Sequence, residues 1–96
     1  MKPSDALRTN REAIRQVVKS HRASNPRVFG SVVHGMDVED SDLDILIDPT
    51  PETTLLDIGA IRHELAQLLG VPVDVLTPKA LPDHFRAAVL AEAMPV

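Results

Sequence analysis

Residues Phe29–Asp48 read FGSVVHGMDVEDSDLDILID: a Gly30-Ser31 pair, ten further residues, then Asp42-Leu43-Asp44 opening an apolar run. Alternation across the run predicts a strand over Asp42–Asp48, because successive side chains of a strand point to opposite faces. Leu43, Ile45 and Ile47 then share one face, and Asp42, Asp44, Leu46 and Asp48 share the other. A small Gly-Ser turn upstream presents backbone N–H groups and a hydroxyl suited to phosphate. Two same-face acids for metal and a turn for phosphate form the outline of a phosphoryl- or nucleotidyl-transfer site. An isolated Asp-x-Asp is more often a solvated strand face, so the rest of the chain has to decide between the two.

Before this stretch, Ser4 is placed to cap a helix from about Asp5 that ends by Ser20–Ala23, with Leu7, Ile14, Val17 and Val18 on one face. Its polar face carries Arg8, Arg11, Arg15 and Lys19, either solvated or facing a partner or phosphate. Asn25-Pro26 reads as a break, and Arg27-Val28-Phe29 as a short strand ending at the Gly-Ser turn. Ser31–His34 reads as one helical turn stopped by Gly35, and Met36–Ser41 as a solvated acidic loop.

After it, Pro49-Thr50-Pro51 breaks the chain. Thr53 or Thr54 caps a helix expected to turn Leu55, Ile58, Ile61, Leu65, Leu68 and Leu69 inward, with Gly70 as its stop. Val71–Leu76 is a second clear strand, and Pro72 assigns it to a strand start or a sheet edge. Its Val71, Val73 and Val75 share a face, leaving Asp74 with Leu76 on the other. A last helix follows Pro82, with Leu81, Phe85, Ala88 and Val89 on its apolar side. The expected fold is α/β (α+β): one domain over residues 1–96, a small mixed sheet of three or four strands, helices packed on one face, and Asp42, Asp44 and Asp74 on the open face.

Composition narrows the function. Among 96 residues 44% are hydrophobic but only 2% aromatic, so the core is aliphatic. The net charge of −4 argues against a dedicated nucleic-acid binder, which is usually basic. With no Cys, disulfides, thiolate zinc sites and thiol catalysis are excluded. The charged N-terminal stretch shows no signal peptide and no run is long enough to span a bilayer, so a cytoplasmic address is expected.

Same-face residues on a strand lie roughly 6.5–7 Å apart and neighbouring strands about 4.8 Å apart. If the Val71–Leu76 strand lies beside the Asp42–Asp48 strand, three carboxylates come close enough to repel one another unless a cation compensates them. An oxygen-only set suits Mg²⁺ or Mn²⁺.

The spacing of Gly30-Ser31 from Asp42-Leu43-Asp44 resembles the signature of the DNA polymerase beta-like nucleotidyltransferase superfamily. The chain is most similar to its minimal branch, the MNT proteins paired with HEPN toxins in toxin–antitoxin modules. Asn25–Ser31, Ser41–Asp48, Val73–Leu76 and the Ala88–Val96 tail carry the likeness. It implies that Gly30, Ser31 and His34 contact the nucleotide, and that Asp42, Asp44 and Asp74 bind metal and act in catalysis. It also implies Mg²⁺ or Mn²⁺ as cofactor and ATP as substrate. His34 departs from the pattern: relatives commonly carry Arg there, and an imidazole is mostly neutral at pH 7, so His34 either holds the triphosphate more weakly than Arg or is simply a surface residue. His21, His63 and His84 are read as structural or solvated. The implied activity is AMP transfer to a hydroxyl, a Tyr first of all, of a cognate HEPN ribonuclease, with no direct nucleic-acid or membrane partner. Two alternatives stand beside it: a non-catalytic antitoxin that covers its toxin, and a small-molecule nucleotidyltransferase.

Overall fold

Alternation along the Asp-x-Asp run governs the architecture. The structure, a computed structural model that describes residues 1–96, places strand β2 at Leu43–Pro49, and Leu43, Ile45 and Ile47 are completely buried on one face. Around it lie α1 (Pro3–Thr9), α2 (Arg11–Ser20), β1 (Ala23–Phe29), α3 (Leu55–Leu69), β3 (Val73–Leu76), α4 (Asp83–Glu92) and β4 (Met94–Pro95). The sheet order is β3-β2-β1-β4: β1 is antiparallel to both β2 and β4, and β3 is parallel to β2. A parallel neighbour needs a crossover, which α3 supplies. β3 lies at the sheet edge with Pro72 just before it, so both positions allowed for that proline are realised together.

The main core joins Ala6, Leu7, Ile14 and Val18 of α1 and α2, Ile61, Leu65 and Leu69 of α3, and Val28, Leu43, Ile45, Ile47 and Val73 of the sheet. α3 has the expected ends. Thr54 is its N-cap in a capping box with Asp57, and Gly70 closes it in the left-handed region at φ 69°.

Several local expectations change. The N-terminal helix is two helices, broken at Asn10, whose side-chain Nδ2 donates to the Ala6 carbonyl at 2.9 Å while its own carbonyl accepts from Ile14 at 3.0 Å. Ser4 is not the cap. Pro3, with φ fixed in advance, begins α1 one residue earlier, and the Ser4 N–H donates to the Asp37 carboxylate at 2.9 Å. Asp37, expected to be solvated, is buried by that role. The Asn25-Pro26 break lies inside β1: a bulge between Ser24 and Arg27, with Asn25 at φ 52°, absorbs the proline. Leu55 and Leu56 are 86% exposed and Leu68 is 43% exposed, so α3 buries a narrower stripe than its leucines suggest.

The helical cover is also more divided than a one-faced arrangement. α1, α2 and α3 cover the Leu43–Ile45–Ile47 face. Val89 of α4 and Ala93 just after it pack instead on Phe29, Leu46 and Leu81, on the face that carries the acids. Phe85 and Ala88, expected inward, are exposed. The basic face of α1 and α2 is tied up locally: Arg8 pairs with Asp5 and Arg15 with Glu12, both at 3.0 Å, and Arg15 and Arg11 reach the Val96 and Pro95 carbonyls at 2.9 and 3.4 Å.

The burial pattern of α3 has a measurable consequence. Ile61→Ala should cost about 2–5 kcal/mol, as buried aliphatic truncations do. Leu55→Gln should change stability by no more than about 0.5 kcal/mol. Urea denaturation of the two variants checks the contrast.

Candidate active site

The register of two strand pairs builds the site. β2 and β3 pair with Leu43 opposite Val73 and Asp44 opposite Asp74, and β1 runs antiparallel to β2 with Phe29 opposite Asp44. Gly30 therefore leaves β1 beside Asp44. The chain turns there through a short 3₁₀ segment, Gly30–Val32, and continues as turn to Gly35. Gly30 has φ 77°, and a Cβ built on it would collide with the Asp44 carboxylate. Glycine is thus required twice, by its backbone conformation and by the close approach of Asp44.

Asp42, at the mouth of β2, and Asp74, on β3, are exposed, whereas Asp44 between them is half-buried. No Lys, Arg or His side chain stands within salt-bridge distance of any of the three. Burial first, then the charge of Asp74 and then that of Asp42, push the Asp44 carboxyl up to about 6. The three side chains do not close into a tight ligand cluster. Like charges without a cation hold apart, and oxygen-only donors around unbalanced charge are what a hard divalent cation fits.

Asp48, on the same face of the same strand, shows the opposite condition. Arg27 grips it with two hydrogen bonds, Nη2 to Oδ1 at 3.0 Å and Nη1 to Oδ2 at 3.1 Å, and Asn25 adds a third at 3.0 Å. Those contacts, Arg27 foremost, hold its carboxyl below the usual carboxylate range. Between the two acids, Leu46 is completely buried under Leu81 and α4. The half of the face near Asp42, Asp44 and Asp74 is left facing solvent, and the half near Asp48 is neutralised.

The structure brings Gly30, Ser31, Asp42, Asp44 and Asp74 to one end of the sheet. His34 ends the turn, and its Nε2 lies 3.0 Å from Glu92 Oε2 on α4. Sequence reasoning missed Glu92; the two residues are 58 apart, and no local signal joins them. His21 pairs with Glu64 at 3.0 Å, His84 meets the Phe85 ring edge-on, and His63 is exposed, so these three are structural or solvated as read.

Comparison with known proteins adds to this geometry. The family model described as a nucleotidyltransferase domain matches residues 11–96. Protein adenylyltransferase MntA of Thermococcus cleftensis is 39% identical over 67 residues, which are 70% of this chain and 68% of that protein. A solved structure assigned as a minimal nucleotidyltransferase superposes with a TM-score of 0.86 at 42% identity, covering 97% of this chain and 95% of that one. A toxin–antitoxin structure with AMP-PNP superposes with a TM-score of 0.75 at 18% identity, covering 90% of this chain and 71% of that one. A tri-AMPylated Shewanella oneidensis HEPN toxin in complex with MNT antitoxin gives 0.68 at 16%, covering 92% and 69%. At those identities the last two show likeness of fold alone.

The raised Asp44 carboxyl fixes a pH dependence. A folded-state acid held above its unfolded value of 3.8 lowers stability as pH rises from about 4 to about 6, and the penalty is complete above that. Asp44→Asn should therefore stabilise the chain at about pH 8, without divalent cations, by on the order of 1 kcal/mol after solvent screening of a half-exposed site. That is roughly 4–8 °C in Tm, and the gain should vanish near pH 4. Thermal melts of both proteins across this range check it.

Proposed function

The chain belongs to the nucleotidyltransferase domain family, and from that premise we propose that it is an antitoxin that transfers AMP from ATP to a Tyr hydroxyl of a HEPN ribonuclease toxin. The observation that carries this reading is the in-register pairing of Asp44 with Asp74 beside the Gly30 turn. It gathers unbalanced carboxylates next to a turn shaped for phosphate. The 39% identical relative is named for protein adenylyltransfer, and one structural neighbour holds an AMPylated HEPN toxin, which supports a protein acceptor.

In this reading the Gly30–Ser31 turn seats the β- and γ-phosphates of ATP, with His34 at its end. Asp42 and Asp44 would hold Mg²⁺ or Mn²⁺, with Asp74 as a third carboxylate of the set. The bound cation supplies charge neutralisation at the phosphates and polarises the α-phosphorus. The acceptor oxygen attacks that phosphorus and a new P–O bond forms. The bond from the α-phosphorus to the β-bridging oxygen breaks, and pyrophosphate leaves. The acceptor's proton passes to the exposed Asp74 carboxylate on β3. Removing the phenolic O–H of a Tyr in place makes the hydroxyl a competent nucleophile, since its ordinary value near 10 leaves it protonated at neutral pH.

Nothing in the fold grips the base or the acceptor, because α4 covers only the Leu46 half of the face. A protein acceptor supplies that wall itself. This separates the reading from transfer to a small molecule, for which the chain offers no enclosing surface.

Incubating the cognate HEPN protein with this chain, ATP and Mg²⁺ should add one or more AMP units by intact mass and relieve toxicity. Asp42→Asn with Asp44→Asn should abolish the adduct, and Asp74→Asn should slow it by roughly 10²–10⁴-fold, the usual contribution of a general base. No adduct, together with undiminished protection by the double variant, sinks the enzymatic reading in favour of neutralisation by binding.

A further inference from the structure

α4 is a lightly seated element. None of its residues is fully buried, and it touches the sheet through Val89, joined by Ala93 just after it, on the Phe29–Leu46–Leu81 cluster. Two polar ties hold its ends. Near the N-terminal end, the Arg86 guanidinium donates to the carbonyls of Pro78 and Leu81 at 2.7 Å each and of Lys79 at 3.2 Å, and pairs with Asp83 at 2.8 Å. At the C-terminal end the tie is His34 Nε2–H donating to Glu92 Oε2 at 3.0 Å. The first tie joins α4 to the segment after β3. The second joins it to the turn that begins at Gly30.

On the reading above, the second tie puts a carboxylate on the residue at the end of the turn that would seat the triphosphate. Both side chains are about half exposed, 49% and 50%, so the contact itself contributes little, on the order of 0–1 kcal/mol as surface pairs do. A triphosphate on the Gly30–Ser31 turn would bring several negative charges toward Glu92 and offer His34 a stronger acceptor than a single carboxylate. The two anions compete for one imidazole.

We propose that Glu92 is a positioning residue that occupies His34 in the nucleotide-free chain, and that a bound triphosphate takes His34 from it. This rests on the nucleotide-site reading above.

Titration of the full chain with Mg²⁺ and AMP-PNP, read by calorimetry, tests this. Glu92→Gln removes the competing charge and should tighten binding by roughly three- to tenfold, the effect of one unit charge at close but solvated range. His34→Gln should weaken binding by a similar factor, and Glu92→Gln placed on His34→Gln should lose most of its gain, since the competition acts through the imidazole. Circular dichroism confirms that each variant is folded, which is expected for two surface side chains. Unchanged or weaker binding in Glu92→Gln overturns the proposal. So does a full gain that persists without His34, which would make Glu92 a background charge only. Absence of AMP-PNP binding by the wild-type chain overturns the nucleotide-site reading along with it, whereas binding that ignores Glu92 overturns the competition alone.

Discussion

Everything near the site depends on the parallel pairing of β2 with β3. It sets Leu43 against Val73 on the core face, and the same register sets Asp44 against Asp74 on the other. The two faces cannot be chosen separately, because the side-chain period is two and a slip of one residue would drive the acids into the core. Leu43, Ile45 and Ile47, all completely buried, therefore hold the carboxylates in place as firmly as any contact made at the site. The pairing also accounts for α3: fifteen residues carry the chain from one end of the sheet to the other, closed by a capping box at Thr54 and a left-handed Gly70.

Within that frame, two aspartates four residues apart are treated in opposite ways. Asp48 is neutralised by Arg27 and Asn25 and serves the fold. Asp44 is left without a cation, half-buried between Asp42 and Asp74, and is held near 6 at the fold's expense. Arg27, which stands opposite Leu46 in the sheet, reaches along the strand to Asp48 and leaves Asp44 without a cationic partner. The residue beside Asp44 is instead Gly30, which has no side chain with which to compensate it and no Cβ to crowd it. A half-buried carboxylate with no cationic side chain beside it sets Asp44 apart from the structural ion pair at Asp48.

The readable part of the molecule was the part written in local periodicity. Alternation marked β2, and a single Asp in a Val-rich strand marked β3. Threonine and glycine bracketed α3, and the Gly-Ser to Asp-x-Asp interval pointed to nucleotidyl transfer. What stayed hidden was set by contacts distant in sequence. Asp37 takes the Ser4 N–H from 33 residues away, so the expected Ser4 cap had no local rival to reveal it. Proline after asparagine normally ends an element, but the bulge at Asn25 and the Asp48 carboxylate beneath it carry β1 through. Leu55 and Leu56 look like core residues from their type alone, but they are the first two residues of α3 and lie outside the stripe of Ile61, Leu65 and Leu69 that meets the core. Phe85 and Ala88 fail as core residues for a related reason: α4 crosses a face already half filled by Leu46 and Leu81.

That crossing shapes what the site can select. α4 seals the sheet over Leu46 and stops there, so the carboxylate end has a floor and one flank but no roof. On the proposed reading, the phosphates are held by the turn and the cation, which are common to every nucleoside triphosphate. Discrimination among acceptors must then come from whatever surface closes the open side. The apolar side chains left exposed on α4, Phe85 and Leu90, belong to the helix that flanks that opening. On that same reading, the chemistry of the site is completed by the protein it acts on.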